Sequence, residues 1–438
     1  MSTPALTISS LGGGREEGHG ATSQVPQRRP FFSYRAETQF FHLADTIARS
    51  HEPTSTQLLA LESSYISTAE YLAESDEFAG LTTNIHGHGS RALGTLLRPS
   101  DESREGFDID LVARLDQRAM SRYGGDGGPG LLINHLHAVL SRYASAHNLK
   151  VKRWERCVTL EYAGGMFADI TPVVDDPLSW AAYGDTHGRV PDRQLRTYEP
   201  TNPRGLTRSF AQAAAIAPVF TAVKHLIFAA DSVRKSISPL PKADEVFERL
   251  LSRLVQLLKL HRNVAFGKAT TGHQDFAPSS VFITTLAAAA YVDLAPKPHS
   301  TPLDLLLDIV EAMPQYFTRE RDFGGGEVWY LQNPSSPYDN LASSMNTRER
   351  QGAFDQWHAR ICRDLRMLVD VIETNAGLDA VVRVVAAVFG ERARAEILRD
   401  DRARREADRK AGRVAILGGG AAPSSVIARS KPHTFYGD

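Results

Sequence analysis

The spacing of apolar residues changes twice along the first half of the chain. Over residues 31–49 and 54–77, apolar side chains recur at steps of three and four, which predicts two helices. Over residues 107–115 and 157–174 the period shortens, which predicts strands. Residues 131–146 between them return to helical spacing. The predicted order is therefore two helices, followed by strands with a helix between them.

The second half of the chain is predominantly helical from residue 206 onward. Residues 314–344 are predicted to be mostly loops, and two long helices follow over residues 348–373 and 378–413. One apolar stripe at helical spacing consists of Val246, Leu250, Leu254, Leu257 and His261.

These patterns give an α+β architecture in four segments. Residues 1–29 carry few large apolar side chains and cannot offset the entropy of ordering, so we expect a disordered tail. Residues 30–203 predict a mixed α/β lobe, and residues 204–412 predict a helical lobe. Residues 413–438 contain a glycine triplet and predict a flexible C-terminal tail.

Length and charge narrow the class of protein. A chain of 438 residues suits two packed lobes, and a hydrophobic fraction of 42% allows a sizeable core. The 50 basic and 51 acidic side chains nearly cancel, whereas a protein that coats nucleic acid normally carries a basic surplus. We therefore expect no stable nucleic-acid partner.

Cysteine content and hydropathy bear on the compartment. Cys157 and Cys362 are the only cysteines, which excludes a disulfide framework and a cysteine-based structural zinc site. Residues 1–20 lack a basic region followed by an apolar stretch, and the longest apolar run, residues 282–292, is too short to span a bilayer. We expect a cytoplasmic protein without a membrane partner.

Acidic side chains in strand-like apolar settings are the candidate catalytic and metal-binding residues. Asp108 and Asp110 are two residues apart, so in a strand they lie on the same face. Asp169 lies in a second strand that could pair beside the first. Neighbouring carboxylates repel each other unless a cation lies between them, and Mg²⁺ prefers oxygen ligands. Two-metal phosphoryl transfer would use all three carboxylates.

A Gly-Ser pair lies upstream of these acids. Gly89 would let the backbone approach a phosphate closely, and Ser90, opening a helix, would offer its hydroxyl and amide to a triphosphate. Alone, an Asp-x-Asp strand or a Gly-Ser pair is more often an ordinary structural feature. Aspartate is disfavoured in strands, however, so three of them together with a Gly-Ser turn favour a nucleotide site with bound metal.

At these residues the sequence resembles the polymerase-β-like nucleotidyltransferases, and among them the bacterial cGAS/DncV-like nucleotidyltransferases (CD-NTases). The likeness covers residues 30–400, and the order of the motifs is more specific than any one of them. The motifs are Gly89-Ser90, Gly94-Thr95, Asp108-Ile109-Asp110, Asp169-Ile170-Thr171-Pro172, Gln256 to Arg262, Pro278-Ser279-Ser280, and Gln332-Asn333-Pro334 with Asp339-Asn340-Leu341. The last segment departs from the family, which usually has Glu before the Asn.

The resemblance implies a polymerase-β-like core with a mixed sheet, plus a helical C-terminal lobe that completes a nucleotide cleft. It implies an enzyme that joins two or three nucleoside triphosphates, ATP among them, into a cyclic oligonucleotide with release of pyrophosphate. Two Mg²⁺ or Mn²⁺ ions would assist, and the product would act as a second messenger in CBASS-type antiphage defence. Beyond Gly89 and Ser90, the resemblance assigns Lys259, Ser279 and Ser280 to nucleotide binding.

Alternatives stay open for several of these residues and for the function. Lys259 lies off the apolar stripe and could be a solvated lysine, and Ser279 and Ser280 could form a helix cap. His261 lies on the stripe and is expected to be a packed core histidine. The rival functions are a nucleotidyltransferase that acts on RNA, protein or a small molecule, and a silent nucleotide-binding scaffold.

Two expectations concern regulation and partners. Animal cyclic GMP-AMP synthase senses DNA through a zinc-bound insert, and this chain lacks a matching cysteine cluster, so we predict activity without added DNA. Phe435 and Tyr436 near the C-terminus could fold back onto the enzyme or anchor the tail in a partner protein of a defence system. Deleting residues 431–438 would distinguish these two roles.

Overall fold

A computed structural model describes residues 32–98, 107–162, 165–221, 250–267, 276–321, 324–411, 414–417 and 420–423. The tail predicted over residues 1–29 lies outside these ranges, and so do residues 424–438 at the C-terminus. The predicted boundaries between the four segments stay predictions.

Seven strands form one mixed sheet. In chain order they are β1 (Thr82–His88), β2 (Asp108–Leu115), β3 (Lys150–Arg153), β4 (Val158–Glu161), β5 (Phe167–Asp175), β6 (Gly188–Asp192) and β7 (Thr197–Thr201). The path across the sheet is β1-β2-β5-β4-β3, and β6 joins the end of β5 to β7. The central pair, β2 and β5, is parallel, and the other pairs are antiparallel.

One face of the sheet is buried against two helices, α2 (Ser55–Glu74) and α5 (Gly128–His147). Ile109 and Leu111 of β2 are 2% and 1% exposed and belong to this core. Because side chains alternate along a strand, Asp108 and Asp110 lie on the opposite face. The apolar core therefore fixes which face carries the acids.

Among the described residues, six helices form the helical part of the molecule. They are α1 (Tyr34–Ser50), α8 (Leu250–Phe266), α9 (Ser280–Leu294), α10 (Pro302–Ala312), α11 (Arg348–Glu373) and α12 (Leu378–Lys410). Although α1 precedes the sheet in sequence, it packs against α8, α11 and α12. Ser33 caps α1 and donates a hydrogen bond of 2.9 Å from its hydroxyl to Glu373 at the end of α11. The other α-helices of the described residues are α3 (Gly89–Ala92), α4 (Met120–Tyr123), α6 (Pro177–Tyr183) and α7 (Pro203–Ala214).

The last helix is shorter and less regular than the pattern over residues 378–413 predicts. It ends at Lys410 and is broken at Gly390, whose φ of 87° and ψ of 174° are not helical. Glycine adopts positive φ without a steric penalty, so the chain changes direction there. The apolar spacing continues on both sides of the break, which is why the sequence predicts one helix.

Short strands occur where the sequence predicts loops or a flexible tail. Between residues 314 and 344, β10 (Thr318–Arg321) pairs with β11 (Glu327–Tyr330), and β12 (Gln332–Asn333) pairs with β13 (Ser336–Asn340). The remaining pairs are β8 (Val219–Phe220) with β9 (Pro298–His299), and β14 (Val414–Leu417) with β15 (Gly420–Pro423). The last pair is a hairpin within the predicted C-terminal tail.

The predicted fold class is confirmed, since a mixed sheet is combined with a helical C-terminal region. Among the described residues, every helix is either too short or too polar to cross a bilayer.

Candidate active site

A row of polar residues crosses the acid-bearing face of the sheet, one residue from each of the five strands β1 to β5. In register order they are His88 on β1, Asp110 on β2, Asp169 on β5, Thr159 on β4 and Lys152 on β3. Directly paired residues on neighbouring strands point to the same face, so these five side chains share it. The prediction that Asp169 lies on a strand beside that of Asp108 and Asp110 is confirmed.

The two central acids interact electrostatically. Burial, followed by the negative charges of Asp169 and Asp108, raises the pKa of Asp110 to about 6, and Lys259 opposes the rise. Burial also raises the pKa of Asp169, while a hydrogen bond from Thr159 to this carboxylate lowers it. Like charges gathered in a partly desolvated site attract a cation. The arrangement therefore favours binding of a positive ion.

Gly89 approaches the Asp110 side chain very closely. Its φ is +59°, and a Cβ built on this residue would lie 1.8 Å from Asp110 Oδ2 and 2.6 Å from Asp110 Cγ. A larger residue would have to displace the carboxylate. Gly89 and Ser90 begin α3, so the predicted helix start at this pair is present, with His88 as the residue before it.

Lys259 is buried next to the acids, so it is not the solvated lysine that one alternative described. It is 6% exposed, and its Nζ donates a hydrogen bond of 3.1 Å to the carbonyl oxygen of Thr95, which follows α3. Burial, followed by the positive charge of Arg262, lowers the pKa of Lys259 to about 8, while Asp110 and Asp108 act in the opposite direction. The apolar stripe does not reveal this burial, because α8 is buried on nearly all sides and every residue over 254–261 is buried.

Ser279 and Ser280 lie at the start of α9, and Ser280 is hydrogen-bonded to α8. The Ser279 hydroxyl caps the helix by accepting the backbone N–H of Phe282 at 3.3 Å. The Ser280 hydroxyl accepts a hydrogen bond of 2.8 Å from Arg262 Nη1. Since Arg262 lies one turn beyond Lys259 on α8, this helix connects both predicted nucleotide-binding groups. The capping role suggested by the sequence is present at Ser279.

His261 is packed in the core as the stripe predicts. It is 1% exposed, and its Nε2 lies 3.1 Å from Asp364 Oδ2 on α11. It therefore joins two helices rather than forming part of the carboxylate site.

The segment Gln332-Asn333-Pro334 and the residue after it lie against the start of α7. Asn333 Nδ2 donates 2.9 Å to Asp339 Oδ2, which closes the segment on itself. Ser335 exchanges two hydrogen bonds with Asn202, the residue before α7, at 2.9 and 3.2 Å. The segment thus holds the start of α7, the helix that follows the sheet.

The acids supply a suitable donor set for a divalent cation without forming a finished ion site. Among the described residues, no three His, Cys, Asp or Glu side chains are already grouped to hold a metal. Asp108, Asp110 and Asp169 nonetheless offer hard oxygen ligands from neighbouring strands, and their mutual repulsion raises the pKa of Asp110. The residues therefore fit Mg²⁺ or Mn²⁺ in chemical type.

Two residues of the site were missed by the sequence reasoning. Thr159 bonds to Asp169, and the Trp154 indole in turn donates 2.8 Å to Thr159 Oγ1. Alternation along β4 would have placed Thr159 on the polar face, because Val158 and Leu160 are the apolar positions.

Comparison with known proteins supports the same assignment. Residues 38–213 match the Second Messenger Oligonucleotide or Dinucleotide Synthetase domain. The chain is 27% identical over 207 residues to the cyclic dinucleotide synthase CdnG of Bradyrhizobium diazoefficiens. This match covers 44% of the chain and 45% of the relative, so in sequence the chain spans about half the length of the curated relative.

The solved structure of CdnG extends the likeness in fold to most of the chain. The structure of Bradyrhizobium diazoefficiens CdnG in complex with GTP aligns with a TM-score of 0.57 at 19% identity, and covers 85% of this chain and 99% of that chain. The E. coli MS115-1 CdnC:HORMA-deltaN complex aligns at 15% identity with a TM-score of 0.47, over 80% of this chain and 97% of that chain. The CdnG alignment establishes a common fold.

The paired acids of β2 and β5 lie within the residues that match the synthetase domain, and the sheet that carries them belongs to a fold shared with CdnG. The chain is thus similar in sequence and in fold to CdnG, a bacterial CD-NTase.

Proposed function

We propose that the protein is a cyclic oligonucleotide synthase. The observation that carries the proposal is the pairing of Asp110 with Asp169 on adjacent parallel strands, with Gly89 against one side of the Asp110 carboxylate. The similarity to CdnG, a cyclic dinucleotide synthase, supports the same reaction here. The substrates are nucleoside triphosphates, consistent with the GTP bound to CdnG in its solved structure.

The three carboxylates hold two divalent cations, Mg²⁺ or Mn²⁺. When bound, these ions lower the pKa of the attacking hydroxyl and stabilise charge on the leaving pyrophosphate. Asp108 and Asp110 act from one strand and Asp169 from its neighbour, so the sheet itself sets their spacing. The apolar core beneath β2 and β5 keeps that spacing rigid.

The remaining residues bind the triphosphate. Gly89 allows close approach of the chain, and Ser90 offers its hydroxyl and amide at the start of α3. Lys259 adds a positive charge from α8 and is tied to the same turn through Thr95. At neutral pH this lysine is still mainly protonated, because its pKa is about 8. Ser279 and Ser280 contribute from the start of α9.

The chemical step joins a hydroxyl of one nucleotide to the α-phosphorus of another. A new P–O ester bond forms, and the bond from the α-phosphorus to the oxygen that bridges it to the β-phosphate breaks. Pyrophosphate leaves with the electron pair of that bond, and the proton of the attacking hydroxyl passes to water. A second such step within the linear intermediate closes the ring. The product serves as a second messenger in antiphage defence, and a partner protein of that defence system completes the pathway.

Product analysis tests the proposal. Purified protein is incubated with ATP, GTP, CTP and UTP and with Mg²⁺ or Mn²⁺, and products are identified by mass spectrometry. The expected product has a mass equal to whole nucleoside monophosphate units minus one water each, which indicates a ring. Nucleotides added to RNA, protein or a small molecule would instead establish the rival transferase function. Nucleotide binding without turnover would establish the scaffold.

A further inference from the structure

A hydrogen-bonded chain runs from the surface to the third carboxylate. Trp154 Nε1 donates to Thr159 Oγ1 at 2.8 Å, and Thr159 Oγ1 donates to Asp169 Oδ1. We propose that Trp154 and Thr159 are positioning residues, which fix the orientation of the Asp169 carboxylate for ion binding and turnover. The inference rests on the proposed function, because it assigns a task to Asp169 within that reaction.

The direction of each hydrogen bond follows from the chemistry of the groups. An indole nitrogen only donates, so the Thr159 oxygen must accept from Trp154. An ionised carboxylate only accepts, so the single hydroxyl proton of Thr159 must point to Asp169. Trp154 therefore removes the alternative orientation in which Thr159 would turn its proton elsewhere.

The bond constrains a torsion that is otherwise loosely defined. The terminal torsion of an aspartate side chain is broad and has no sharp staggered minima. A donor fixed at Oδ1 selects one orientation of the carboxylate plane, and so settles where the second oxygen lies. Residues that orient metal ligands in this way typically change metal affinity or activity by about 10- to 100-fold when they are replaced.

Trp154 is held in place although 44% of it is exposed. It lies in the turn between β3 and β4, which is closed by a 2.9 Å bond from its backbone N–H to the Cys157 carbonyl. The next two residues are tied to the turn between β6 and β7: Glu155 pairs with Arg193 at 3.0 Å, and Arg156 with Asp192 at 2.8 Å.

The ring itself has a second fixed contact, because Lys152 Nζ lies 3.5 Å from its centroid. An anchored turn with an oriented indole is the arrangement that a positioning role requires. It also predicts that the N–H group, and not the apolar ring, is the functional part of Trp154.

Four variants test the contributions of the Trp154 N–H, the Thr159 hydroxyl and the Trp154 ring separately. Thr159→Val keeps the shape of the side chain and removes the hydroxyl, while Thr159→Ser keeps the hydroxyl. Trp154→Phe keeps an aromatic ring and removes the donor, and Trp154→Ala removes both. Each variant is titrated with Mn²⁺ alone, followed by electron paramagnetic resonance of the free ion, and is then assayed for kcat and KM with nucleoside triphosphates.

We expect Thr159→Val to raise the Mn²⁺ dissociation constant by about 10-fold and to lower kcat more than it changes KM. Thr159→Ser should bind Mn²⁺ within about threefold of wild type, as a conservative replacement retains the hydroxyl. Trp154→Phe and Trp154→Ala should lose Mn²⁺ affinity to the same extent as each other, and less than Thr159→Val does. The double variant Trp154→Phe with Thr159→Val should equal Thr159→Val alone, because both changes break one chain.

Three results would overturn the inference. The first is that Thr159→Val binds Mn²⁺ with wild-type affinity. The second is that Trp154→Phe binds Mn²⁺ like the wild type while Trp154→Ala binds it more weakly. The third is that the loss of Mn²⁺ affinity in the double variant is the product of the losses in the two single variants. Trp154→Phe, at an exposed position, serves if Thr159→Val does not fold. If wild type makes no cyclic product but the Mn²⁺ pattern holds, the proposed function fails and the positioning role stands. If the cyclic product forms and the Mn²⁺ pattern is absent, the proposed function stands and the positioning role of Trp154 and Thr159 fails.

Discussion

Replacing Gly89 with alanine tests whether close approach of the chain to Asp110 is essential. The added Cβ would lie 1.8 Å from Asp110 Oδ2, whereas real Cβ contacts are essentially never under 3.0 Å. The carboxylate must therefore retreat by about 1.2 Å, and a misplacement of about 1 Å can cost about 100-fold in rate. The φ of +59° adds a backbone penalty of about 1–2 kcal/mol to folding.

Gly80 supplies a matched control. Its φ is +69°, and a Cβ there would meet no atom within 4 Å. Gly80→Ala should therefore show the same backbone penalty of about 1–2 kcal/mol without loss of turnover. Both variants are compared by thermal unfolding and by the rate of pyrophosphate release. Equal turnover of Gly89→Ala and Gly80→Ala would refute the steric reasoning.

Three further predictions concern charge. Asp169→Asn should abolish product formation. Its melting temperature should stay level or rise, because one of the mutually repelling charges is removed. Turnover near that of the wild type would contradict the assignment of Asp169 as a catalytic residue. Lys259→Met should raise the apparent KM for nucleoside triphosphate by about 10-fold or more, because it removes a charged hydrogen bond of about 1.5–3 kcal/mol. An unchanged KM would show that Lys259 does not bind the triphosphate. Glu37, whose pKa burial raises to about 6, accepts a 3.2 Å bond from the Leu303 N–H. A raised carboxyl pKa contributes stability that is present below pH 4.5 and lost as the pH rises through 6, so wild type should lose about 2 kcal/mol relative to Glu37→Gln over that range. Parallel melting curves of the two proteins across this range would contradict it.

The acids were predictable from sequence because their pattern is local. Asp108 and Asp110 differ from their neighbours in polarity at a period of two, and Asp169 lies in an equally apolar run. Pairing of β2 with β5 is not a local feature, because α4, α5, β3 and β4 lie between these strands in the sequence. The resemblance to a known family added the predicted nucleotide-binding roles of Lys259, Ser279 and Ser280.

Other features depend on tertiary packing and had no local signal. The strand β1 has the sequence Thr-Thr-Asn-Ile-His-Gly-His, which is polar and contains glycine, so its strand character comes from pairing with β2. The burial of Lys259 could not be predicted from the sequence, because it depends on the helices that surround α8. The packing of α1 against α11 and α12 joins segments more than 300 residues apart.

Transfer of label from nucleotide to product tests the central claim most directly. Wild-type protein and Asp110→Asn are incubated with Mg²⁺ and with triphosphates labelled with ³²P at either the α- or the γ-position, and products are treated with alkaline phosphatase. We predict that the wild type converts α-label into a phosphatase-resistant product that carries no γ-label, because the β- and γ-phosphates leave as pyrophosphate and the phosphatase hydrolyses them to phosphate. Asp110→Asn should form no such product. A product whose label is removed by phosphatase, or an equal yield from Asp110→Asn, would contradict a cyclic oligonucleotide synthase built on these carboxylates.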